Sequence, residues 1–164
     1  MRNQKEDMGL KVLFVCHGNI CRSPMAEFIF KDMVEKEGLS DCFLIESAAT
    51  SDEEVWRGVG NPVYPPARAE LSRHGISCTG KRARVLTRED YEKYDYLIGM
   101  ESVNIRNMKR ILGRDPDEKI CKMMSFTHGG GDIADPWYTG DFDAAWSDIL
   151  EGCEGLLAEL TGAE

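Results

Sequence analysis

The sequence predicts a single open α/β domain: a four-stranded parallel sheet with helices on both faces. Three observations predict it. Short runs rich in β-branched and aromatic residues recur at 11–15, 42–48, 94–100 and 119–126, and they alternate with helical patterns, as parallel strands joined by right-handed crossovers require. The chain has 164 residues, 42% hydrophobic and 30% charged, the size and balance of one compact core. No internal repeat or low-complexity stretch interrupts this pattern. The domain is expected over residues 10–161, behind a short flexible segment at 1–9. The longest apolar runs, VLFVC and YLIGM, fall far short of the ~20 residues that span a bilayer. The polar start MRNQKEDMGL has no apolar signal core. A cytoplasmic protein without membrane contact is expected.

Each element has its own local justification. KVLFV at 11–15 reads as a buried strand that stops abruptly at Cys16, His17 and Gly18. Ser23 suits an N-cap with Pro24 at the first helical position, and Met25, Phe28, Ile29 and Met33 form a stripe that ends near Gly38. CFLIESA at 42–48 is the second strand, followed by a long loop from Ala49 to Pro66. A helix is expected from Ala67 to His74, and a short helical turn at Thr87 and Asp90 precedes the third strand. Ser102–Leu112 reads as a helix closed by Gly113. Residues 119–126 are the fourth strand candidate, and DIADPWYTGD is a loop after three glycines. The last helix, Phe142 to Leu160, shows Ala145, Trp146, Ile149, Cys153, Leu156 and Leu160 at helical spacing. In such sheets ligands bind beyond the carboxyl ends of the strands, where the loops after strands one, two and four meet.

The formal charge of −9 is unevenly placed: residues 1–122 hold all 20 Lys and Arg beside 20 Asp and Glu, and the remaining nine acids lie beyond. An acidic chain with no basic run argues against sequence-independent nucleic-acid binding, and no nucleic-acid partner is expected. Any anion must be held locally, by backbone N–H groups and one or two Arg. Six cysteines, with only Cys16 and Cys21 close together, give neither a disulfide framework nor the paired knuckles of a zinc site, so no metal is expected.

The informative stretch is Cys16-His17-Gly18-Asn19-Ile20-Cys21-Arg22-Ser23-Pro24, at a strand-to-helix turn. A loop of this length can wrap its N–H groups around a tetrahedral oxyanion, with Gly18 and Asn19 suited to left-handed conformations and the helix N-terminus adding positive potential. Arg22 can grip two phosphate oxygens through its planar fork. A cysteine in these surroundings is expected to be a thiolate at neutral pH, facing a bound phosphate as an in-line nucleophile. Asp135 is one of nine acids in the tail, but it lies on a Gly-rich loop beside Trp137 and Tyr138, which suit the wall of an aryl-phosphate slot.

Val15 to Pro24, with Met25, Ala26 and Glu27, resembles the signature of the low-molecular-weight protein tyrosine phosphatases. The resemblance extends through Ser47-Ala48-x-Thr50, His74-Gly75-Ile76, Asp95 to Met100 with Asn104, and Asp135-Pro136-Trp137-Tyr138. It implies phosphate monoester hydrolysis in two steps, without metal or other cofactor. Cys16 would form a phosphocysteine, Arg22 would hold the phosphoryl oxygens, and Asp135 would serve as acid and then as base. Ser23 would hydrogen-bond the sulfur, while Asn19, Ser47 and His74 would hold the shape of the phosphate loop formed by His17, Gly18, Asn19, Ile20, Cys21 and Ser23. Ile20, Trp56, Trp137 and Tyr138 would line the substrate slot. Cys21 would form a reversible, protective bridge with Cys16 on oxidation. Tyrosine-phosphorylated proteins or peptides would be the substrates, inorganic phosphate the product, and the chain a monomer or weak dimer. Ala49 and Glu101 stand where Gly and Asp are more usual.

Three other activities compete. Arsenate reductases share the loop but need two further cysteines close together, and Cys78 stands alone. Protein-arginine phosphatases carry Thr where this chain has Ile20, whose apolar branch packs on a phenyl ring but offers a phosphoguanidinium nothing polar. A non-catalytic phosphate-binding module would have no need of Cys16, Arg22 and Asp135 together.

Overall fold

The computed structural model describes residues 9–162, so all of the expected N-terminal segment except Gly9 lies outside the described residues. The strands of the main sheet are β1 (Leu10–Cys16) and β2 (Phe43–Ala49), then, beyond a small hairpin of β3 (Val55–Trp56) and β4 (Val59–Gly60), β5 (Tyr96–Gly99) and β6 (Ile120–Lys122). All neighbours in the order β2-β1-β5-β6 are parallel. The helices are α1 (Arg22–Lys36), α2 (Pro65–Arg73), α3 (Asp90–Lys93), α4 (Ser102–Leu112), α5 (Pro136–Thr139) and α6 (Phe142–Thr161).

Alternation along β1 builds a core on each face of the sheet. Val12, Phe14 and Cys16 join the larger core with α1, α2 and α6, whereas Leu13 and Val15 join a smaller one with Tyr91, Tyr94, Met108 and Leu112. β1 is therefore buried on both faces and paired on both sides. Chain order reverses beside it, so the crevice at the carboxyl end of β1 is the topological switch point. The main-chain N–H groups of Thr50, Ser51 and Tyr64 bond to the carbonyls of Cys16, His17 and Ile20, and Ile133 N–H bonds to Met100, bringing four loops to that edge.

Three expectations are corrected. The fourth strand covers only Ile120–Lys122, and Met123–Phe126 is a 3-10 turn that packs on α6. There Gly155 lets the backbones approach so closely that a Cβ would lie 2.0 Å from the Phe126 carbonyl oxygen. The loop at 49–66 contains the β3–β4 hairpin, whose turn residues Arg57 and Gly58 both have positive φ, as a tight hairpin with native twist demands. Ser23 is not the N-cap of α1: the helix begins at Arg22, Cys21 precedes it without a side-chain cap, and Pro24 is the third helical residue.

Candidate active site

The loop from Cys16 to Ser23 surrounds the base of a cavity of about 120 Å³, lined also by Glu53, Glu54, Asp135, Trp137 and Tyr138. Asn19 is left-handed, with φ 60°, while Gly18 is not. Gly18 is instead a place of close approach, where an added Cβ would lie 3.3 Å from Glu54 Cγ. Ser23 serves Cys16 rather than the helix end: its hydroxyl lies 3.0 Å from the Cys16 sulfur and its N–H donates to it at 3.4 Å. Asn19 Nδ2 donates to Ser23 Oγ and to Ser47 Oγ at 2.8 and 2.9 Å. All four residues are buried.

Arg22 lies under the cavity with its side chain 2% exposed. Its Nη1 donates to the Ile133 carbonyl at 2.7 Å and pairs with Glu101 at 2.5 Å, and its Nη2 faces Asp135 Oδ2 at 3.4 Å. Burial opposes its charge, but Cys16, Asp135 and Glu101 together raise its pKa above the ordinary arginine value. Asp135 caps α5, its Oδ1 accepting from Trp137 N–H at 3.0 Å, so the carboxylate is oriented by the same turn that presents Trp137 and Tyr138. Trp137 packs on Tyr64 with ring centroids 4.6 Å apart, and Tyr138 is exposed. Burial, then the proximity of Cys16 and Asp135, pushes the Cys21 thiol far up, so it stays protonated.

The site thus brings together Cys16, His17, Gly18, Ile20, Cys21, Arg22, Asp135, Trp137 and Tyr138 around one cavity, with Asn19, Ser23 and Ser47 beneath it. Two expected residues lie elsewhere. Trp56 is 74% exposed at the tip of the hairpin, under the Arg57 guanidinium, and the adjacent wall is formed by Glu53 and Glu54 instead. His74 does not support the loop: its ring stacks on Trp146 at 3.6 Å and its Nε2 faces Glu70 at 3.3 Å, which ties α2 to α6. Lys81 occupies the supporting position, donating to the Ser47 carbonyl at 3.1 Å and lying 3.3 Å from Glu27.

Sequence reasoning missed the parts in Glu101, Glu27, Lys81 and the hairpin acids. Only Glu101 had a usable signal: it ends the segment after β5, and it shares reciprocal capping hydrogen bonds with Asn104 at the start of α4. His17 meets Glu53 at 2.5 Å on the exposed rim.

Comparisons with known proteins agree with this geometry. The profile of the low molecular weight phosphotyrosine protein phosphatase family matches residues 11–163. The low molecular weight protein-tyrosine-phosphatase YfkJ of Bacillus subtilis is 38% identical over 153 residues, covering 92% of this chain and 96% of the relative. Its crystal structure superposes with a TM-score of 0.86 at 36% identity, covering 94% of this chain and 96% of that one. The human low molecular weight phosphotyrosine protein phosphatase is 35% identical, covering 89% of this chain and 92% of the relative. The Drosophila arginine phosphatase structure is also similar, with a TM-score of 0.81 at 32% identity over 92% of this chain and 98% of that one. A sheet that aims a cysteine into a Cys-x5-Arg loop, an opposed aspartate, and a profile match over nearly the whole length lead to one conclusion: the chain belongs to the low molecular weight phosphotyrosine protein phosphatase family.

Proposed function

We propose that the protein hydrolyses phosphotyrosine in proteins and peptides, and small aryl phosphates, through a phosphocysteine. The observation that carries this reading is the juxtaposition of Cys16, Arg22 and Asp135 around one small cavity, with the nucleophile at its base and the acid on its rim. The phosphoryl group would sit in the loop, its oxygens met by loop N–H groups and the Arg22 fork, which stabilise the charge that spreads over them in the transition state. Cys16 attacks phosphorus as the thiolate while Asp135 gives a proton to the leaving phenolate oxygen. In the second step Asp135 takes a proton from water, the P–S bond breaks, and inorganic phosphate leaves. The Ser23 hydroxyl supports the sulfur in both steps, as nucleophile and as leaving group.

Ile20, Trp137 and Tyr138 give the slot the apolar and aromatic walls that suit a phenyl ring. Cys21 lies in the same loop as a protonated thiol. Condensation of that thiol with an oxidised Cys16 sulfenic acid would form a disulfide and release water, shielding the nucleophile until a thiol reductant reopens it.

The test is hydrolysis of para-nitrophenyl phosphate in excess chelator, with phosphotyrosine and phosphoarginine compared in parallel. Cys16→Ser should abolish turnover, and Asp135→Ala should reduce kcat by about 10²- to 10⁴-fold, the range for loss of a general acid. Faster turnover of phosphoarginine would overturn the substrate assignment, and phosphate binding without turnover of either would overturn the enzyme.

A further inference from the structure

Beneath the phosphate loop, Asn19 is oriented by a group that can only donate. The backbone N–H of Arg84 points at Asn19 Oδ1 at 3.1 Å, so the amide nitrogen must face the Ser23 and Ser47 hydroxyls. Both hydroxyl oxygens therefore accept from Asn19, and each keeps one proton to give. Ser47 gives its proton to Glu27 Oε1 at 2.5 Å, since a carboxylate can only accept. Ser23 is left with Cys16 Sγ, at 3.0 Å, as the acceptor of its proton. Every bond in this buried chain has one direction: the Arg84 N–H sets that of the Asn19 amide, and the Glu27 carboxylate sets that of the Ser47 hydroxyl.

Two ammonium groups keep Glu27 company, and they differ. Lys31, one turn along α1, reaches Oε2 at 2.6 Å with a side chain 43% exposed to water. Lys81 comes from the far side with a side chain 11% exposed, lies 3.3 Å from Oε1, and also donates to the Ser47 carbonyl at 3.1 Å. Burial lowers its pKa from the ordinary value, which Glu27 opposes; Lys31 and Arg84 face it as further cations. Its ammonium thus ties together two members of one network, Glu27 and Ser47, from the side opposite Lys31.

We propose that Lys81 is a positioning residue for the phosphoryl-transfer reaction: its ammonium, clamped between Glu27 and the Ser47 carbonyl, holds Ser47 and the carboxylate that fixes its hydroxyl, and so steadies Ser47 as the second acceptor of the Asn19 amide that keeps the Ser23 hydroxyl donating to Cys16. This inference rests on the reading of Cys16 as the nucleophile. Without Lys81, Glu27 loses its buried counter-charge and the Ser47 hydroxyl is released to turn. Asn19, still held by the Arg84 N–H, then loses a fixed acceptor on one side, and the Ser23 hydroxyl is held less firmly on the sulfur, both when that sulfur attacks and when it departs.

The experiment compares Lys81→Met, Lys81→Gln and Lys81→Arg with the wild type in two assays, after thermal unfolding has shown which variants are folded. One assay is steady-state hydrolysis of para-nitrophenyl phosphate. The other is the pH dependence of inactivating alkylation by iodoacetamide, read on Cys16 by fragment-ion mass spectrometry. Lys81→Met should lower kcat about tenfold, the scale of one charge-assisted hydrogen bond, with KM changed less than about twofold. The midpoint of the alkylation profile should move to higher pH. Lys81→Gln, which retains a donor for the Ser47 carbonyl but no charge, should show the same shift even if Lys81→Met does not fold, and Lys81→Arg should restore both readouts. An unchanged alkylation midpoint in a folded, uncharged variant would overturn the proposal, whatever happened to KM. A wild type that fails to hydrolyse the ester would instead sink the phosphatase reading, while the alkylation profiles would still show whether Lys81 steadies the hydrogen bonds to the Cys16 sulfur.

Discussion

Arg22 is held through one nitrogen by Glu101 and the Ile133 carbonyl while the other faces Asp135, so its fork is oriented before any phosphate arrives. A lysine offers a single point of charge and cannot span these partners. Arg22→Lys is therefore expected to lower kcat/KM by at least about 100-fold, measured with para-nitrophenyl phosphate. The Cys16-to-Pro24 motif makes Arg22 and the proposed nucleophile Cys16 legible in the sequence, because one turn contains both. Asp135 is one acid among nine whose Gly-rich, aromatic surroundings favour it, and the Asp-Pro-Trp-Tyr resemblance is what singles it out. Glu101 and Lys81 follow no spacing rule relative to the loop; only the parallel sheet brings them to it. His74 shows the opposite error, since a residue matched by its neighbours in sequence is turned by α2 onto Trp146 instead.

At the scale of elements, local chemistry predicted what local chemistry decides. Helix α4 begins and ends where its capping residues and Gly113 place it, whereas β6 is cut short by packing between Phe126 and Gly155, which no local pattern reveals. The β3–β4 hairpin escaped notice because Arg-Gly is a weaker turn signal than Asn-Gly. At Gly60 a Cβ would lie 1.8 Å from the Ala83 carbonyl oxygen, next to the Arg84 N–H that orients Asn19. Gly60→Ala is expected to cost about 1–3 kcal/mol by overpacking, measured by denaturant unfolding, and to lower kcat as the 82–84 segment is displaced. The turn before β6 depends on Asp115, which accepts from the Tyr91 hydroxyl at 2.7 Å and from the Lys119 and Ile120 N–H groups at 2.8 and 3.3 Å. Burial pushes its pKa up, but these donors prevail and hold it below the ordinary 3.8. A carboxylate with a depressed folded pKa stabilises the protein above its unfolded value and loses that contribution as pH falls through the folded one. Asp115→Asn should therefore cost roughly 1 kcal/mol near neutral pH, a figure kept small by solvent screening, and the difference from wild type should shrink below about pH 3.8. Urea denaturation at a series of pH values measures this.

The whole molecule carries a formal charge of −9, and Glu53, Glu54 and Asp135 surround the one buried guanidinium of the site. A phosphorylated peptide approaches against this field. Raising salt from about 10 to about 100 mM shortens the screening length from about 30 to about 10 Å. Over that range kcat/KM should rise for a phosphotyrosyl peptide with acidic flanks and fall for one with basic flanks. The overall balance was legible from composition; that part of it gathers at the mouth of the cavity was not, because the hairpin acids reach there only through the fold.

The proposed nucleophile and the proposed acid are mounted differently in this molecule. Cys16 ends a strand that is paired on both sides and buried on both faces, while Asp135 follows an irregular stretch in which Gly130 and Gly131 both have positive φ. On those roles phosphorus meets a sulfur fixed by the sheet, and the proton comes from a loop outside the sheet that is tied to it through the Ile133 N–H and the Met100 carbonyl. On the proposed mechanism the leaving group departs in the first step, so discrimination between substrates would fall there, and discharge of the phosphocysteine would run at one rate for all of them.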